Sequence, residues 1–281
     1  MQIDVALLRS WIGRTEDATD VITPRLAEEF LATFAPHVAA APPHAPLGIH
    51  WCLSPAIAPA AALGEDGHPA RGGFLPPVPL PRRMWAGGEV EILGELRIGD
   101  QVTRRSTIED VALKSGRSGQ LCFVAVRHEY STGRGVAIRE RHDIVYRQAA
   151  LGAPHAAPKP AEPRQADLSW TVPTGPVLLF RYSAITFNGH RIHYDLPYVT
   201  GVEGYAGLVV HGPIQATLLL NMAARLAGAP PRRFSYRGQA PLIAGPPFKV
   251  AGASNGDGAL SCWTESADGV LCMQAEAAPL L

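Results

Sequence analysis

The sequence predicts an α+β protein built twice over, in which helical material is followed by an antiparallel meander and the plan then repeats. Three observations carry this. From 88 to 147 the hydrophobic period is two, broken only at Gly-containing turns. Residues 213–227 then show an apolar helical pattern (Pro213 in the first turn, then Leu218, Leu219, Met222 and Leu226), with strand-like runs at 232–240, 246–253, 258–267 and 269–277. Between the two lies 149–168, where Pro154, Pro158, Pro160, Pro163 and several alanines read as a linker. The expected units are therefore 1–150, a connector over 151–168, and 169–281.

The elements follow in order. Residues 2–12 and 24–34 read as short amphipathic helices, the second with Thr23 as N-cap and Pro24 in its first position. Residues 39–81 are rich in Ala, Pro and Gly, and the run from Phe74 to Pro81 must be largely extended. Val90, Ile92 and Leu96–Ile98 lead to a Gly99-Asp100 turn, and strands are expected at 101–112, 120–130 and 136–147. The halves overlay at an offset of 146, Gly94–Asp100 against Ala240–Pro246, in pattern more than identity. An edge strand of each copy could pair with the other and remove an exposed edge.

Composition bounds the function. The 281 residues, 47% hydrophobic and 18% charged, describe a globular chain with ample core. Lys+Arg and Asp+Glu each number 25, so no global field favours nucleic acid or an anionic membrane, and an anionic ligand must be met by local arginines. Cys52, Cys122, Cys262 and Cys272 lack CxxC spacing and are expected to stay reduced and buried, which suits a cytoplasmic protein. No apolar run approaches the ~20 residues that span a bilayer, and no secretory signal is visible at the N-terminus.

The chemistry concentrates in 180–195, where two histidines, an amide, two arginines and a carboxylate crowd a window that is neither clean helix nor clean strand. His193 can accept or donate a proton near neutral pH. Asn188, five positions earlier, can orient a water or a substrate, although Asn188-Gly189 alone reads as a turn. His190 and His193 stand three apart, and Asp195 and His211 could join them around a metal, but the window matches no known ligand spacing and no metal is expected. Gly212 before Pro213 opens a helix whose unpaired N–H groups could polarise a thioester carbonyl; an ordinary helix start reads the same. Arg82 and Arg83, beside Trp85, suit phosphate and adenine contacts, and Arg181 and Arg191 could meet a substrate carboxylate.

The run Tyr182–Asp195 (YSAITFNGHRIHYD) resembles the hydratase motif of MaoC-like dehydratases, in the branch of hydroxyacyl-thioester dehydratase type 2 and the mesaconyl-C4-CoA and itaconyl-CoA hydratases. Arg71–Gly88 resembles the N-terminal region of the same branch. The resemblance implies a double hotdog, two copies of a long helix wrapped by an antiparallel sheet, with catalysis in the C-terminal copy and an N-terminal copy that shapes the acyl pocket. MaoC-like hydratases pair an Asp with a His five residues later; here those positions are Asn188 and His193, so the histidine matches and the carboxylate does not. What it implies is a base role for His193, water positioning by Asn188, the Gly212 N–H on the thioester oxygen, and Asp195 either orienting an imidazole or structural. Arg82, Arg83, Arg181, Arg191, His190 and His211 are the expected substrate contacts.

The activity implied is reversible hydration of a 2-enoyl-CoA, mesaconyl-C4-CoA first and itaconyl-CoA second, giving citramalyl-CoA with neither metal nor redox cofactor. A 3-hydroxyacyl thioester dehydratase, a hotdog thioesterase and a non-catalytic acyl-thioester binder are the rivals. The expected partner is the acyl-CoA alone, with no nucleic acid or membrane, and a homodimer is compatible with the fold class.

Overall fold

The computed structural model describes residues 3–116, 119–148, 160–256 and 258–278. Ten strands form one antiparallel sheet: β1 (Thr15–Val21), β2 (Arg82–Ile92), β3 (Gln101–Gly116), β4 (Gly119–Thr132), β5 (Gly135–Arg147), β6 (Leu168–Val172), β7 (Arg233–Gly238), β8 (Phe248–Ser254), β9 (Leu260–Glu265) and β10 (Leu271–Ala278). Their order is β1-β3-β4-β5-β2-β7-β10-β9-β8-β6, so the first five and the last five are arranged as mirror-ordered copies joined at β2 and β7. Gly87 faces Arg237 and Glu91 faces Arg233, and the 146-residue offset exchanges these two pairs, which places a pseudo-twofold axis between them. The overlay of 94–100 on 240–246 falls on the equivalent β2–β3 and β7–β8 connections, and each carries one leucine into the core, Leu96 and Leu242.

Among the described residues five α-helices accompany the sheet: α1 (Val5–Arg9), α2 (Pro24–Phe34), α3 (Pro176–Ile185), α4 (Leu196–Gly201) and α5 (Gly212–Ala227). Thr23 caps α2 as expected, its side chain accepting from Leu26 N at 3.1 Å. From Ile214 to Ala223 every residue of α5 is buried, as befits a helix apolar on all sides and packed against β8, β9 and β10. Gly228, at φ +74°, ends it.

The copies are unequal in their helices. Where α5 would recur, the N-terminal copy has two short 3₁₀ turns, Ile49–Cys52 and Ala60–Ala62, because Pro55 and Pro59 lie between them and the pre-proline positions disfavour helix. The long helix expected in each copy is thus sixteen residues in the second, while the first relies on the eleven-residue α2. The proline-rich run supplies cover instead: Val78 and Leu80 pack with Leu8, Ile108, Val124, Val126 and Tyr146 in a second apolar cluster. The Arg71 guanidinium donates to the carbonyls of Val78, Leu80 and Pro81 at 2.6–2.9 Å, satisfying acceptors that this segment does not pair with a neighbouring strand.

Other expectations need correcting. The first helix spans 5–9, not 2–12. Strand β2 begins at Arg82, six residues before the period-two pattern starts at 88, so Arg82–Trp85 lie in the sheet. Strands β1 and β6 are additional to the expected ones: each is a short edge strand with one face in solvent, and β1 is acidic. The first six residues of the 180–195 window are helical, the end of α3. Of the expected linker, 149–159 lies outside the described residues; 160–167 runs along the sheet, with Ala161 N donating to Gly269 O. All four cysteines are buried and free.

Candidate active site

A cavity of about 420 Å³ opens where the start of α5, the 188–193 loop and strand β2 meet. Asn188, His190, His193, His211, Gly212, Arg82 and Arg83 line it, so seven of the ten predicted site residues are brought together. Phe187, at φ +48°, turns the chain out of α3 into the loop. A 3₁₀ turn over Arg191–His193 then points His193 inward.

His193 is buried, and its Nδ1 lies 2.7 Å from Val209 O, so Nδ1 carries the proton and Nε2 is left as an acceptor. Burial holds the imidazole's pKa down to about 4 against the opposing pull of the Val209 carbonyl, and it is neutral at pH 7. The ring stacks on His211 at 3.5 Å and 14°, and His211 Nε2 meets Ser183 Oγ at 2.9 Å. Burial, and then the neighbouring His193 and His190, keep His211 neutral as well. Asn188 Oδ1 accepts from His190 N at 3.0 Å, which fixes the amide and leaves its NH₂ group to donate.

Gly212 is the first residue of α5. Pro213 has no N–H and Ile214 N donates to His211 O, so the Gly212 N–H is the first-turn donor without an intrahelical acceptor. A Cβ here would stand 2.6 Å from the Trp85 ring, so only glycine fits. Trp85 also stacks on Tyr236 at 4.6 Å.

Three predicted residues do not line the cavity. Asp195 orients no imidazole: it caps α4, accepting from Tyr198 N at 3.1 Å, and pairs with Arg191 at 2.7 Å. Arg191 also donates to Glu65 O at 3.0 Å and lies 4.0 Å over the Tyr198 ring, so its guanidinium clamps two loops together outside the cavity lining. Arg181 is exposed at the far side of α3, its nearest partner Ala32 O at 3.4 Å. Arg82 lines the cavity, but its guanidinium is engaged by Glu203 and Val202 O just beyond α4.

The residues that sequence reasoning missed come from the N-terminal copy. Asp66 and His68 line the cavity, His68 Nδ1 lying 3.0 Å from Asp66 Oδ2, and the His68 ring is 4.0 Å from that of His190. An Asp-Gly-His triplet inside a stretch read only as rich in Ala, Pro and Gly was the available signal. Asp66, His68 and His190 are close enough to suit a cation, but the Asp66 carboxylate is occupied by His68 and the positive charge of Arg83 acts on all three, which opposes a metal there. His142 and Trp51 form another wall, and behind them the fully buried Glu140 accepts from Trp51 Nε1 at 2.6 Å and Tyr236 OH at 3.1 Å, with His142 Nε2 at 2.7 Å. Burial would raise the Glu140 pKa, yet His142, His50 and His128 together hold it well below the usual carboxylate range.

Comparison with known proteins agrees with this architecture. Residues 48–244 match the family model described as hydroxyacyl-thioester dehydratase type 2. The mesaconyl-C(4)-CoA hydratase of Chloroflexus aurantiacus is 46% identical over 252 residues, 88% of this chain and 89% of that protein. Among solved structures, HtdX of Mycobacterium tuberculosis superposes with a TM-score of 0.67 at 20% identity, covering 95% of this chain and all of HtdX. Another M. tuberculosis protein, described as a double hotdog, gives 0.54 at 16% identity, with 95% and 96% covered. At those identities the structural likeness carries the fold alone. The family match spans most of the chain and the Chloroflexus relative nearly all of it, so this protein, a double hotdog, belongs to the hydroxyacyl-thioester dehydratase type 2 family of hydro-lyases.

Proposed function

We propose that the protein hydrates a 2-enoyl-CoA thioester reversibly, with mesaconyl-C4-CoA as substrate and citramalyl-CoA as product. The observation that carries the reading is a neutral, buried His193 with Nε2 free to accept, in one cavity with Asn188 and the unpaired N–H of Gly212. The substrate follows from the 46% identity to the Chloroflexus enzyme. In the hydration direction Asn188 holds the water, Nε2 of His193 takes a proton from it as the oxygen bonds to the β-carbon, and the π electrons move onto the thioester oxygen. The Gly212 N–H stabilises that enolate. The imidazolium then returns the proton to the α-carbon, so the cycle needs neither metal nor redox cofactor. Arg83 offers its charge to the free carboxylate of a dicarboxylic acyl group, while the wall formed by His142, Trp51 and Trp85 limits its size. Acyl-CoA as the only partner, and a cytoplasmic setting, fit this reading; among the described residues no helix is long and apolar enough to cross a membrane.

The test is a panel of enoyl-CoAs followed by loss of the conjugated-thioester absorbance. Mesaconyl-C4-CoA should be hydrated with a kcat/KM about 10- to 100-fold above crotonyl-CoA, which lacks the second carboxylate, a charge-assisted contact being worth roughly 1.5–3 kcal/mol. Release of free CoA without hydration would replace the reading with a thioesterase.

A further inference from the structure

The position where MaoC-like hydratases carry an aspartate holds Asn188 here, yet the cavity does not lack a carboxylate–imidazole pair. Asp66 and His68 supply one from the N-terminal copy, and the structure fixes them firmly against the 188–193 loop. Arg191 N donates to Asp66 O at 2.9 Å and the Arg191 guanidinium to Glu65 O at 3.0 Å. Gly67, at φ +84°, lies so close to the loop that a Cβ would stand 2.0 Å from Gly189 O. His68 N donates to Asp66 Oδ1 at 3.0 Å, so backbone and ring of His68 both hold the same carboxylate. With Nδ1 donating to Asp66, Nε2 of His68 is the free acceptor. The rings then run His68, His190, His193, with centroids 4.0 Å and 5.3 Å apart.

We propose that His68, oriented by Asp66, is a second proton carrier of this site: it works on the oxygen at the β-carbon while His193 works at the α-carbon. The inference rests on the hydratase reading above and divides between two histidines what one would otherwise do. Arg83 lies beside this pair, so a substrate carboxylate docked there brings the β-carbon that bears it toward His68. In hydration, Nε2 of His68 takes a proton from water as the water oxygen bonds to the β-carbon and the π electrons pass to the thioester oxygen. His68 gives that proton up to solvent, and His193 delivers a solvent-derived proton from Nε2 to the α-carbon as the enolate collapses. Both histidines end neutral, as they began. A carboxylate at 3.0 Å stabilises the imidazolium that forms on His68, whereas His193 has only a carbonyl for that purpose. The charges facing His68 are Asp66, which favours its proton, and Arg83 and Arg71, which oppose it; a substrate carboxylate on Arg83 offsets the larger opposition.

The experiment uses citramalyl-CoA in D₂O with the wild type, His68→Gln, Asp66→Asn, Asp66→Glu and His193→Ala, reading elimination and deuterium uptake at the α-carbon separately. His68→Gln should lose about 100-fold or more in kcat with KM within a few-fold, as removal of an acid–base group does, while His193 continues to exchange the α-hydrogens. Asp66→Asn should lose kcat in the same way, and Asp66→Glu should recover part of it. Turnover of His68→Gln within about threefold of wild type would overturn the proposal and leave His193 as sole carrier. Loss of exchange together with elimination in folded His68→Gln would overturn it too, reducing His68 to a structural part. If His193→Ala keeps both activities, the role of His193 at the α-carbon fails and the proposal with it; if the wild type shows neither, the hydratase reading itself fails, and not merely this extension of it.

Discussion

At His193 the hydrogen bond from Nδ1 to Val209 O does two things at once: it fixes the tautomer and aims the other nitrogen into the cavity. Burial lowers the pKa to about 4, so the base form is lost only as pH falls toward 4 and not near 6.5. The acidic limb of kcat/KM should therefore lie near pH 4, with circular dichroism checking that the fold survives there; a limb centred near 6.5 would place the titrating base elsewhere. Gly212 is constrained from the other side. Gly212→Ala drives a methyl group into Trp85, 2.6 Å away, and should reduce kcat by about 10²–10³-fold through a displaced N–H donor; stopped assays at saturating substrate would read it. His193, Asn188 and Gly212 were legible in the sequence because a loop motif and a helix start are local features. The places of Arg191 and Asp195 were not, because the window alone cannot tell a charge facing a cavity from one that holds two loops together.

Elements explain why that cavity keeps its shape. Arg191 ties the 3₁₀ turn to Asp195 at the head of α4 and to the 64–69 segment of the other copy. Its ion pair is part-exposed, with side chains 37% and 24% accessible, so as a surface pair it contributes only about 0–1 kcal/mol of stability. Arg191→Ala should accordingly leave the midpoint of thermal unfolding within a few degrees while lowering kcat/KM at least about tenfold. A fall in stability with unchanged kinetics would show the clamp to be remote from the chemistry. Asp66 and His68 were missed for a related reason: they sit in a stretch without periodicity, and the 3.0 Å pairing that makes them a unit appears only once Gly67 has turned the chain.

Across the whole molecule the pseudo-twofold relates two cavities. Ile92–Leu96 and Gly228–Arg232 edge a second one of about 900 Å³, at the same 146-residue offset from the 238–242 and 82–86 edges of the first. The sequence offset hinted at this symmetry, but the sheet order and the replacement of one long helix by two short 3₁₀ turns depend on long-range pairing that no local pattern encodes. The buried Glu140 network stands where the first copy lacks that helix, joining β5 to Trp51 and to Tyr236 of β7. Glu140→Ala leaves the Trp51 and Tyr236 donors without their acceptor and removes the charge beside His142, and should cost about 3–5 kcal/mol, read as a lower denaturant midpoint. Only the C-terminal copy carries the Asn-x4-His window, so one histidine should silence the whole molecule. The deciding measurement is hydration of mesaconyl-C4-CoA by wild type and His193→Ala at matched thermal stability: the account predicts rapid turnover by the first and a kcat at least about 1,000-fold lower in the second, and turnover by folded His193→Ala within tenfold of wild type would contradict it.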